Sequence, residues 1–105
     1  MTTFDKREEA FEKRFALDED QKFKAVARRN KLLGLWAAEK LGKGGDEASA
    51  YARDVVAAEF DGGGAVVRKV MGDLAAAGAA VDEDGVRAKF NELAAVAAAQ
   101  VKAGT

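Results

Sequence analysis

The sequence predicts an all-α protein: a four-helix bundle with a protruding, helix-prone N-terminal segment. Three observations carry that expectation. Apolar residues recur at three- and four-residue spacings along most of the chain, the period of helices that turn one face to a core. Proline is absent, and the periodic stretches are separated by glycine and aspartate. A chain of 105 residues, 49% hydrophobic and 33% charged, suits one globular domain.

The first stretch, residues 2–17, can form a helix, with Thr3 as its N-cap and Asp5 in the first turn. Its apolar line is thin. Phe4, Phe11 and Phe15 stand at i, i+7 and i+11, and the remaining faces are charged, with Glu9 and Lys13 as an i,i+4 pair. Each phenylalanine could contribute ~2 kcal/mol if buried, yet a helix this short is marginal alone in water. It must fold back on the bundle, fray, or dock into another protein's groove. Residues 1–17 are read as a detachable recognition arm, against the alternative of a first bundle helix. Residues 18–105 are read as the bundle, with helices at about 19–41, 47–60, 65–77 and 83–102.

The organising helix runs through FKAVARRNKLLGLWAAEKL, Phe23 to Leu41. At 100° per residue, Phe23, Val26, Ala27, Asn30, Leu33, Gly34, Ala37 and Leu41 share one arc, the expected core stripe. Leu32, Leu35 and Trp36 lie outside it, so the helix is expected to bury more than one side. Asp18 and Gln21 have the spacing of a capping box, and Gly42 is a stop. After Lys43-Gly44-Gly45, Asp46 reads as the next N-cap. Ala48, Tyr51, Ala52, Val55, Val56 and Phe60 form that helix's stripe until Gly62-Gly63-Gly64 interrupts it. Val66, Val67, Val70, Met71 and Leu74 mark the third helix, stopped by Gly78. Asp82 caps the last, with Val81 and Val86 spaced as a hydrophobic staple and Val86, Phe90, Leu93, Ala94, Ala97 and Val101 as its stripe.

What is missing narrows the function. With no cysteine and no histidine there is no thiol nucleophile, thiolate metal site, imidazole base or Ser-His-Asp triad. Asp82, Glu83 and Asp84 crowd a helix N-terminus, where the dipole accounts for them. Glu8, Glu9 and Glu12 lie on a solvated face. The Gly62–Gly64 loop precedes Arg68 and Lys69 but lacks Walker A or GxGxxG spacing, and no strand leads into it. The chain is therefore read as a non-enzyme, without metal or cofactor.

No apolar run approaches the ~20 residues of a membrane-spanning helix, and the charged start is unlike a signal peptide. A cytoplasmic, soluble protein without direct membrane insertion is expected, monomeric when isolated. The net charge of −1 hides segregation. Residues 1–20 carry four basic and seven acidic side chains, residues 21–43 seven and one, and the remainder six and ten. A basic central helix between acidic flanks suits internal attraction or an acidic protein partner, whereas those flanks would repel nucleic acid. Arg28, Arg29 and Lys31 beside Leu32 and Trp36 form a mixed patch. The plain reading is that the last helix covers its apolar members. The functional readings are an anchor for an acidic partner or a weak ATP or ADP site.

Three segments carry a resemblance: FDKREEAFEKRFALDEDQKFKA at 4–25, RRNKLLGLWAAEKLG at 28–42 and YARDVVAAEF at 51–60. Together they resemble the zeta inhibitor subunit of the bacterial F-type ATP synthase. Beyond residue 61 the likeness is mainly one of pattern, and the glycine triplet departs from the family's acidic connection. The resemblance implies a four-helix bundle whose N-terminal segment enters the catalytic head, touches the rotor stalk and stator subunits, and blocks the rotation that accompanies wasteful ATP hydrolysis. It also implies a location on the cytoplasmic side, peripheral to the inner membrane through the synthase. Carried onto this chain, Phe4, Phe11 and Phe15 become apolar anchors, with Lys6, Arg7, Lys13 and Arg14 pairing with acidic groups on the enzyme. The alternative is a small nucleotide-binding regulatory domain that uses the basic central helix.

Overall fold

Helix α1 spans Glu19–Lys40, and its start is fixed by local chemistry. The Asp18 carboxylate accepts the Gln21 backbone N–H at 2.7 Å, and the Gln21 side chain accepts the Asp18 N–H at 3.1 Å. This reciprocal capping box satisfies two donors that a helix N-terminus leaves unpaired. Glu19 and Asp20 in the first turn and Lys40 in the last complement the helix dipole. Gly42 ends the helix with φ 75°. Its N–H bonds to the Glu39 carbonyl, and the Lys43 N–H reaches back to Ala38. This pair of bonds is a Schellman closure, which needs a residue at ease in the left-handed region.

The computed structural model describes residues 16–104. Helix α2 spans Gly45–Ala58 and passes into a 3-10 turn at Glu59–Asp61; α3 spans Ala65–Ala76 and α4 spans Glu83–Lys102. The fold is all-α, with four α-helices and no strand among the described residues. Asp46 is not the N-cap of α2. The cap is Gly44, whose carbonyl accepts from Glu47 and Ala48, so Asp46 and Glu47 occupy the first turn instead. Asp82 does cap α4, accepting the Gly85 N–H at 2.8 Å. Val81 and Val86 join the same apolar cluster.

Helix α1 is central, packing extensively against both α2 and α4 and touching α3. The core is built from Leu33, Ala37 and Ala38 of α1, Tyr51, Val55 and Ala58 of α2, Val66, Val67, Val70 and Leu74 of α3, and Val86 of α4. Its small side chains bring backbones close. A Cβ placed on Gly34 would stand 2.6 Å from the Ala52 Cα and 3.2 Å from the Val55 Cβ, so the α1–α2 crossing requires glycine there.

The stripe expected on α1 divides along its length. Asn30, Leu33, Gly34 and Ala37 are buried, and Leu41 packs on the core, but Phe23 is 68% exposed. Phe60 is 82% exposed. It falls in the 3-10 turn, where the tighter winding carries it off the α-helical stripe that ends at Ala58.

Candidate functional site

The basic face of α1 resolves into separate pieces. Arg29 is held on three sides. Its guanidinium hydrogen-bonds Glu59 at 3.2 Å, its Nε donates to the Asn30 side-chain oxygen at 3.0 Å, and it lies 4.3 Å from the centroid of the Phe90 ring. Asn30 is fully buried and donates to the same Glu59 oxygen at 3.0 Å. Burial lowers the Arg29 pKa from its ordinary value, while the charge of Glu59 and the hydrogen bond to it oppose that shift. A cation stacked and paired in this way ties α1 to the end of α2 and to α4.

The other members of the predicted patch do not converge on Arg29. Arg28 donates to Gln100 of α4 at 3.2 Å. Lys31 is exposed beside Ala27, Val56 and Val101. Trp36 packs against the core with Lys40 and Lys89 each 5.9 Å from its ring, and Leu32 is half-buried. Lys89 comes from α4, the last helix. Phe4, Lys6, Arg7, Phe11, Lys13, Arg14 and Phe15 lie outside the described residues.

Two features escaped the sequence reading. The first is the polar tie made by the core residue Tyr51, whose hydroxyl donates to Asp73 at 2.8 Å, while Lys69 pairs with Asp73 at 3.1 Å and lies 5.3 Å from the Tyr51 ring. Burial raises the Tyr51 pKa first; the hydrogen bond to Asp73 and the charges of Asp73 and Asp54 raise it further. The i,i+4 spacing of Lys69 and Asp73 was the available signal. The second is an apolar groove at the end of the bundle where α1 begins, formed by Phe23, Val26, Ala27, Val56 and Phe60. It continues past Phe23 to Val101 and Gly104, and that side carries Lys24, Arg28 and Lys31. The chain enters the fold beside it, where the Ala16 carbonyl accepts from Lys102 at 3.1 Å. No cluster of acidic residues among those described could hold a metal ion, and no described helix is long and apolar enough to cross a membrane.

The family model described as ATPase inhibitor subunit zeta matches residues 1–100. The chain belongs to that family. The match takes in both the segment before α1 and nearly the whole bundle. Among solved structures, a protein determined by NMR in solution is similar to this chain, with 55% sequence identity and a TM-score of 0.69. The alignment covers 79% of this chain and 96% of that one. No curated protein matches. Membership of the zeta family makes this an inhibitor-type regulatory subunit associated with an ATP synthase.

Proposed function

We propose that this zeta-family chain suppresses ATP hydrolysis by inserting residues 1–17 between the rotor stalk and the stator subunits of the synthase's catalytic head, while residues 18–105 position that segment. The observation that carries the reading is the span of the family match, which includes residues 1–17 as well as the bundle. The resemblance supports giving the inhibitory role to that segment. A stator and a rotor that slide past one another are locked when one helix is wedged between them. Phe4, Phe11 and Phe15 supply apolar anchors, and Lys6, Arg7, Lys13 and Arg14 pair with carboxylates, in keeping with the weight of aromatic and arginine side chains at interfaces. Ordering the segment on binding costs free energy, so the affinity per unit of buried area is modest.

The protein then acts on the cytoplasmic side, held near the inner membrane by the synthase alone. The nucleotide-binding alternative has no observation in its favour, and Arg29, its most central cation, is already engaged by Glu59, Asn30 and Phe90. Single alanine variants at the seven segment positions test the proposal in an ATP hydrolysis assay, with circular dichroism as the check on folding. Weakened inhibition by the phenylalanine variants is expected. Undiminished inhibition by all seven overturns the assignment of the wedge.

A further inference from the structure

We infer that the groove around Phe23 is where the bundle itself grips the catalytic head, and that its occupant is an acidic surface segment of the head presenting apolar side chains. The inference rests on the proposed function above but concerns a surface that the proposal leaves unassigned. Phe23 and Phe60 are 68% and 82% exposed, and Val26, Ala27, Val56 and Val101 lie between and beside them. A continuous apolar strip of this kind on a small domain marks an interaction site.

Charge identifies the occupant. Along the Val101 side the groove is lined by Lys24, Arg28 and Lys31, and no carboxylate lines it among the described residues. Asp20 reaches Lys24 from the preceding turn, and Glu19 and Glu59 border the Phe60 side, where Glu59 is committed to Arg29 and Asn30. The open side is therefore cationic. Residues 1–15 carry four basic and four acidic side chains, so the chain's own N-terminal segment has no net charge with which to answer it. An acidic partner does. Position agrees: the Ala16–Lys102 hydrogen bond holds the chain just before α1 at this end of the bundle.

The test is the affinity of the full chain for the cognate catalytic head, measured for wild type, Phe23→Ser, Lys24→Glu/Lys31→Glu, and Leu35→Ser as an exposed control away from the groove. Phe23 and both lysines are exposed, so folding is retained, with circular dichroism as the check. Phe23→Ser and the lysine pair should each weaken binding by about tenfold or more, with Leu35→Ser unchanged. The lysine pair should also flatten the salt dependence of binding. Phe23→Ser binding as tightly as wild type overturns the inference and leaves the wedge intact; a wild-type chain that does not bind the head overturns both. Two further results reassign the groove. A dimer in solution that Phe23→Ser dissociates gives it to a second copy. Amide signals of Phe23, Val56 and Val101 that move in Phe11→Ser/Phe15→Ser give it to the chain's own segment.

Discussion

Gly34 and Gly72 are both helical glycines, and replacing each with alanine should shift stability in opposite directions. At Gly34 a methyl group would meet the Ala52 Cα at 2.6 Å, a backbone atom that cannot swing aside. The helix-propensity gain of up to about 1 kcal/mol is then outweighed by an overpacking cost of about 1 to 3 kcal/mol. Beyond its own helix backbone, nothing stands within 4 Å of a Cβ placed on Gly72 of α3, so Gly72→Ala should stabilise by up to about 1 kcal/mol. Urea unfolding of the two variants reads both signs. Tyr51 makes a third case. Its folded pKa is raised above the ordinary value near 10, so folding favours the protonated phenol. The stabilisation is whole below about pH 10 and is lost as pH rises further. Tyr51→Phe should cost about 1 kcal/mol at neutral pH through the lost bond to Asp73, and should lessen the fall in stability above pH 10. The readout is the difference between wild type and variant across that pH range.

Among the elements, the end of α2 depends on a carboxylate. Glu59 accepts from both Arg29 and the buried Asn30, so Glu59→Ala leaves a buried amide and a half-buried guanidinium short of a partner. A loss of about 1 to 2 kcal/mol is expected in urea unfolding, kept modest because Glu59 is 42% exposed. Glu59→Gln, which keeps an acceptor for Asn30, should lose less. This network shows where sequence reading stops. The four-helix architecture followed from periodicity, and the caps at Asp18 and Asp82 followed from spacing, because both depend on residues within one or two turns. The pairing of Arg29 with Glu59 and Phe90 joins residues 30 and 61 positions apart, and nothing local announces it. Asp46 misled because an aspartate after glycines has the composition of an N-cap, whereas the Gly44 carbonyl had already started the helix. Phe23 and Phe60 sit in their expected stripes by spacing alone. Their exposure depends on where neighbouring helices end and where α2 tightens into a 3-10 turn, which the stripe does not encode.

For the molecule as a whole, the central claim is a division of labour between a bundle that positions and a segment that blocks. The bundle's chemistry is absorbed in its own stability: Arg29 by Glu59, Tyr51 by Asp73, and the ring of Trp36 by the core beneath it and the lysines near it. What remains turned outward is the groove at the end where the N-terminal segment joins. The most direct measurement is ATP hydrolysis by the cognate catalytic head, titrated with the full chain and with a chain lacking residues 1–17. Inhibition by the full chain alone is the predicted result. Equal inhibition by both would contradict the account and move the blocking site onto the bundle.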